Sequence, residues 1–268
     1  MNIYGCDFSG AKNPEGKIFI ARGQLAGHTL TIERVTGCED RLDLAHYIKE
    51  SKAPWGMDFP FSIPEYYLQN QYDSSWRNFV AGAYEDSREV FRDRFGVIHS
   101  GKNNRDLRFT DIALQAKSPV SSTPIAMHGM LFGGRKLLHH LQHDVCVYPF
   151  DPLQKTLSRL YEVYPSHGWK SLGLKSSEPG AFQELQAVFK ANVDVGFDVT
   201  VSREAMQGAL TAGTKPNLHA MDAVMACIEM GYCLWKYNLE EDWEQRPAFA
   251  AGKEWEQRSL EGLAVRLR

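Results

Sequence analysis

The chain has 268 residues, 43% of them hydrophobic and 24% charged, with a net charge of −3. This is enough apolar material for a full core in one large domain or two small ones, and too little positive charge for a bulk polyanion binder. No run approaches the roughly 18 apolar residues of a membrane span, and MNIYGCDFSG has no basic segment leading into an apolar one, so a cytoplasmic protein without membrane contact is expected.

Ile3 to Asp7 reads as a short strand, and SGAKNPEG as a turn broken by Asn13-Pro14 and Gly16. Lys17 to Leu25 is a second strand, and after a turn at Gly27 the β-branched alternation of HTLTIERV makes a third. Asp40 is placed to cap a helix through about Glu50, with Leu42, Leu44, Ala45 and Ile48 as its apolar face. Pro54 stops that helix, WGMDF is a fourth strand, and Pro60 and Pro64 end the run. Residues 65–123, rich in aromatics and charges without strand alternation, read as an insertion of helices and loops. A helix over 126–142, weakened by Gly133-Gly134, precedes two apolar runs, VCVYPF and LYEVYP, the second being the better central strand. Further helices are expected from Pro179 to about Ala191 and from a cap at Ser202. The last strong helix begins near Pro216, with Leu218, Met221, Met225, Ile228, Tyr232 and Trp235 as a buried stripe.

Three apolar runs carry an aspartate: GCDFSG at Asp7, WGMDFPFS at Asp58 and HAMDAVMAC at Asp222. Aspartate is a poor strand residue and is normally kept out of apolar surroundings, so each needs a partner. For any one of them a salt bridge or helix cap would do. For several that converge, a divalent cation is the simplest partner, because it also cancels their mutual repulsion. Asp222 falls at the border of the helical stripe beside Ala223 and Ala226, and His219 lies on the same side three positions earlier. The ends of neighbouring strands and a docked helix can therefore bring Asp7, Asp58 and Asp222 together.

The order of three strands, helix, strand, later strand and final helix, with acids on the first strand, the fourth strand and the last helix, resembles the ribonuclease H fold. His219-Ala220-Met221-Asp222-Ala223 is similar to the closing H-x-x-D-A motif of RuvC-type resolvases. Together with RFTDIAL and YEVYPS, the three acidic motifs resemble the domain of unknown function 429, a family of predicted nucleases, over most of the chain in order. The resemblance implies an α/β ribonuclease H-like mixed sheet, three antiparallel strands followed by parallel ones and flanked by helices. Residues 1–268 would form one domain, with the insertion at about 65–123 after the fourth strand. It also implies a metal-dependent nuclease in which Asp7, Asp58 and Asp222 hold two Mg²⁺ or Mn²⁺ ions, Asp7 bridging them. His219 would orient or deprotonate the attacking water. Glu162 has two readings, a fourth ligand or a residue paired with Arg159 or Lys170. Arg108 and Asp111, in RFTD, form either a substrate-facing pair or an internal salt bridge.

The basic residues Arg77, Arg88, Arg92, Arg94, Lys102 and Arg105, with Trp76, Tyr84 and Phe91 between them, could grip phosphates and stack bases. The five acids interspersed among them favour a solvated helix face. His139, His140, His143 and Asp144 cluster at a helix end, where the helix dipole already favours histidine without zinc. The five cysteines, odd in number and without a C-x-x-C pair, read as reduced thiols, Cys6 among them as a buried one. Ser166-His167 has no nucleophile elbow around it. Two other functions compete with a nuclease acting on a structured or short nucleic acid. DFSGAK resembles the first phosphate loop of the actin and sugar-kinase superfamily, which points to a phosphotransferase or ATPase, but no second such loop follows. A catalytically silent nucleic-acid-binding or interaction protein is the third. The oligomeric state is not encoded legibly.

Overall fold

The computed structural model describes residues 1–96, 104–121, 126–178, 180–191, 196–211 and 215–267. Strands β1 (Asn2–Asp7), β2 (Phe19–Ala26) and β3 (Thr29–Gly37) form an antiparallel meander. Its second turn uses Gly27 at φ +61°, a conformation that L side chains rarely adopt. Asp40 caps α1 (Arg41–Ser51), accepting from the Leu42 and Asp43 amides at 2.7 and 2.9 Å. The apolar face of α1 is Leu44, Ala45 and Ile48. Leu42, expected on that face, is 67% exposed, because two helical steps from Leu44 carry it to the far side.

From α1 the chain enters β4 (Pro54–Asp58), parallel to β1, and then the short helices α2 (Glu65–Gln71), α3 (Trp76–Ala81), α4 (Arg88–Asp93) and α5 (Phe109–Leu114). These are followed by α6 (Ala126–Leu141), β5 (Val145–Val147), β6 (Ser158–Val163) and α7 (Pro165–Ser171). Next come α8 (Ala181–Ala191), β7 (Asp198–Val201), α9 (Arg203–Gly208) and a small hairpin of β8 (Leu210–Thr211) and β9 (Lys215–Pro216). The long helix α10 (Leu218–Tyr237), α11 (Gly252–Glu261) and β10 (Ala264–Val265) complete the chain. Pro179, the expected first-turn residue of α8, lies outside the described residues, as does Lys102. Strand β7, helices α7 and α11, and β10 are not among the elements expected from the sequence.

The main sheet runs β10-β6-β4-β1-β2-β3-β7, antiparallel through β1-β2-β3 and parallel elsewhere. β5 and β10 share the outer edge of β6: β5 pairs with Ser158–Leu160, and β10 with Glu162 and Val163. Alternation along β1 divides the core in two. Ile3 faces the cluster built from α8 and α10, whereas Cys6 and Phe8 face the one built from α1 and α6. Helices therefore cover both faces of the sheet. No helix among the described residues is long and apolar enough to cross a membrane.

Candidate functional site at the carboxyl ends of β1 and β4

Asp7 and Asp58 are register partners at the last positions of two parallel neighbours, which places both carboxylates at one edge of the sheet. Helix α10 crosses just behind them because two glycines leave room for it. A Cβ on Gly5 would lie 2.1 Å from the Cys227 nitrogen and 2.3 Å from the Ala223 oxygen. One on Gly56, the register partner of Gly5, would lie 2.6 Å from the Ala226 oxygen. With small residues on the facing side of α10, helix and strands approach backbone to backbone. Asn217 starts the helix, its side chain accepting from the His219 amide at 3.1 Å. His219 and Asp222 are thereby delivered to the same edge as Asp7 and Asp58. All four line a cavity of about 590 Å³.

The remaining wall comes from the loop Phe8–Lys12, from Arg88, Glu89 and Arg92 of α4, and from His128, Gly129 and Met130 of α6. That loop is held from two sides. Arg41 donates to the Ser9 carbonyl from Nε (3.1 Å) and Nη2 (2.9 Å), and also to the Ala11 carbonyl. Gly10 lies against Gly129 of α6, whose carbonyl carbon would be 1.9 Å from any Cβ placed there. Neither contact had a signal in the sequence, since Arg41 reads as an ordinary first helical residue. His128 is buried, and its Nε2 is bonded to the Val120 carbonyl at 2.7 Å; burial lowers its pKa.

His219 Nδ1 and Asp7 Oδ2 are 2.7 Å apart, and Trp169 Nε1 donates to Asp222 Oδ1 at 2.9 Å. Burial raises the Asp7 pKa, while the bond from His219 draws it back and in turn raises that of His219. Asp58 is pushed well above the carboxylate range by burial and then by the charges of Asp7 and Asp222. Asp222 is pushed up to about 7 by burial and by Asp7, against the opposing hydrogen bond from Trp169. A further acid escaped sequence reasoning inside the apolar stripe of α10. Glu229 is 0% exposed, and burial holds its pKa high against an opposing contact with the Tyr164 backbone.

The donor set suits a hard cation in kind. Asp7 Oδ1, Asp222 Oδ2 and both oxygens of Asp58 have no hydrogen-bond partner among the described residues. No group of three or more His, Cys, Asp or Glu side chains among the described residues is set to hold an ion as it stands. Binding would have to draw these carboxylates inward.

The other expected site residues lie elsewhere. Glu162 is buried and pairs with neither Arg159 nor Lys170. It accepts from Arg108 Nη1 (2.8 Å) and Nη2 (2.6 Å) and from the Phe61 amide (2.8 Å). Arg108 also grips Asp111 (Nη2 to Oδ1, 2.7 Å), so Arg108 and Asp111 form an internal salt bridge rather than an exposed substrate clamp. Arg159 is bonded to Glu240. Of the basic residues expected to grip substrate, Arg92 lines the cavity. Arg94 is bound through Nε and Nη2 to Asp86, and Arg105 pairs with Asp106 beside the Tyr66 ring. Trp76 and Phe91 are buried, so neither is open to stack a base. Truncating Glu162 to alanine is expected to cost roughly 3–5 kcal/mol in urea unfolding, as breaking a buried ion pair does. A stable Glu162→Ala protein that has lost only activity would instead make Glu162 a ligand.

Compared with family models, with curated proteins and with solved structures, the chain matches none.

Proposed function

We propose that the protein is a metal-dependent phosphodiester hydrolase, a nuclease in the broad sense, built on a ribonuclease H-like sheet. The antiparallel β1-β2-β3 meander with β4 and then β6 added parallel on the far side of β1 supports the fold. The observation that carries the chemistry is the convergence of three mutually repelling aspartates, from two strand ends and one helix, on a cavity that also holds Arg88, together with Lys12 at 3.8 Å from Glu89 and Arg92 bonded to Asp93. Carboxylates collect a cation and the basic side chains collect an anion, and a phosphoester with its metal ion needs both. Asp7, Asp58 and Asp222 would hold Mg²⁺ or Mn²⁺, which supplies Lewis-acid polarisation of the phosphoryl group when bound. His219, oriented by Asp7 through Nδ1, accepts the proton of the attacking water, the Asp7 bond raising its pKa and with it its basicity. Arg88, on the same cavity, positions the phosphate.

The test is a panel of single-stranded, duplex, branched and RNA–DNA hybrid oligonucleotides and dinucleotides with Mg²⁺ or Mn²⁺. Asp7→Asn and Asp58→Asn are expected to abolish cleavage, and His219→Ala to slow it about 10²–10⁴-fold. Mn²⁺ at millimolar concentration should raise the melting temperature of wild type and not of Asp7→Asn. If both proteins ignore Mn²⁺, the metal reading fails. A second reading draws on the loop Phe8–Lys12, all of which lines the cavity as a phosphate loop would. Asp7-dependent hydrolysis of a nucleoside triphosphate, with no diester cut, would establish the phosphotransferase alternative.

A further inference from the structure

Helix α6 carries Gly129, Phe132, Gly133 and Lys136 along one face, at steps of three and four residues. Three cations from three helices meet over that face. The Arg88 guanidinium of α4 lies 5.0 Å from the centre of the Phe132 ring, and Lys136 Nζ lies 4.5 Å from the same centre. The two glycines leave room for arginine: a Cβ on Gly129 would stand 3.2 Å from Arg88 Nη1, and one on Gly133 3.2 Å from Arg41 Nε. An aromatic ring steadies a cation without neutralising it. Among the described residues, Arg88 and Lys136 have these rings as neighbours and no salt bridge. The acids near them in the chain and in space are engaged elsewhere. Glu89 lies 3.8 Å from Lys12, Asp86 takes Arg94 on both carboxylate oxygens, and Asp40 caps α1. Arg41 commits Nε and Nη2 to the loop Phe8–Lys12 and adds its charge to the cluster. Burial, and then the like charges of Arg88, Arg135 and Arg41, lower the Lys136 pKa. Like charges gathered without a counter-ion attract an anion.

The cluster is continuous with the site already described. Arg88 lines the aspartate cavity, whereas Lys136 is not on its wall and stands two turns beyond Gly129, about 10 Å along the helix axis. A ligand that reaches both the aspartates and Lys136 must leave the cavity along α6, as a chain with spaced phosphates does. Beside Lys136 is the ring of Tyr84, 61% exposed and 4.8 Å from Nζ. Cations alternating with an open aromatic are how single strands are held, and a net charge of −3 gives no broad field for a duplex. We propose that Arg88 and Lys136 form a path for the backbone of a single-stranded nucleic acid, with Arg88 at the phosphate beside the aspartates and Lys136 at the next phosphate outside the cavity. The proposal rests on the hydrolase reading for which phosphate reacts, and it narrows the substrate to a strand.

The experiment is fluorescence anisotropy with a labelled ten-nucleotide oligothymidylate in EDTA, over a series of salt concentrations. Lys136 lies outside the cavity, so binding there does not call for the metal, and without metal the strand stays intact. Lys136→Met keeps the stem over Phe132 and removes the charge. It is expected to weaken binding about fivefold at 0.1 M salt and to lower the salt slope by about 0.7, the share of one phosphate contact on a single strand. Lys136→Gln gives the same readout if the methionine variant does not fold. Lys155→Gln, which removes an exposed lysine paired with Glu241, is the control and should bind as wild type does. No binding by wild type, an unchanged slope in the Lys136 variants, or an equal loss in Lys155→Gln would overturn the proposal. So would a nucleoside triphosphate that competes as well as unlabelled oligonucleotide, since the ligand would then be a compact polyphosphate. A strand bound in the expected way but left uncut by wild type with Mg²⁺ or Mn²⁺ would keep the path and sink the hydrolase reading alone.

Discussion

Asp222→Asn is expected to make the protein more stable and, at the same time, inactive. Asparagine keeps the acceptor for Trp169 Nε1 and removes a charge that burial and Asp7 both oppose. The Asp222 pKa rises from an ordinary 3.8 to about 7 on folding. Below the unfolded value the acid is neutral in both states and contributes no penalty. Between there and about 7 the folded state binds more protons than the unfolded one, so stability falls as pH rises. Above that window the loss is constant. At about 1.4 kcal/mol per pKa unit, and allowing for screening through the open side of the cavity, the variant should gain roughly 2–4 kcal/mol at pH 8. The gain should shrink steadily toward pH 4. Urea unfolding at several pH values reads this directly. No gain at pH 8, or one that is the same at pH 4, would mean that Asp222 is not held in the strained state described. Loss of cleavage should accompany the gain, because a free carboxylate oxygen has gone. Stability and function in conflict at one residue is the pattern expected of a site rather than of a core.

Gly5→Ala should be strongly destabilising although it adds a single carbon. In most strands alanine for glycine is neutral or helpful, since glycine weakens a strand. Here the added carbon meets backbone atoms of α10, at 2.1 Å from the Cys227 nitrogen and 2.3 Å from the Ala223 oxygen. No side chain can rotate away, so the helix must shift or the strand must bend. Overpacking usually costs about 1–3 kcal/mol, and a backbone-to-backbone clash should reach or exceed the top of that range. The displaced helix also carries Asp222 and His219 away from Asp7. Surviving folded protein should therefore lose the Mn²⁺-induced rise in melting temperature. Gly37→Ala, whose nearest neighbours would be 3.8 Å away, is the matched control and should be close to neutral. Equal effects at Gly5 and Gly37 would show that the close approach of α10 does not constrain the fold.

Local pattern was enough to place the meander of β1, β2 and β3, the capped α1, β4 with its aspartate, and the long buried α10. Each rests on signals within a few residues: alternation, a side-chain cap, or apolar spacing at the helical period. The same signals marked Asp7, Asp58 and Asp222 as unusual, because an acid in an apolar run is visible without knowing its neighbours. Their meeting in one cavity was decided by the tertiary structure, through the glycine pair that lets α10 lie against β1 and β4. The fates of the charged residues were also settled there. Nothing local separates Arg92, which lines the cavity while bonded to Asp93, from Arg94, which is turned to Asp86, because partner choice depends on which segments fold back alongside. Glu162 and Arg108 are 54 positions apart and become partners once β6 and the end of the insertion share a wall. Local sequence determined the elements just named and the residues that fit them poorly. Only the three-dimensional packing decided which of those misfits converge, because burial and charge are properties of the whole surroundings and not of the neighbouring residues in the chain.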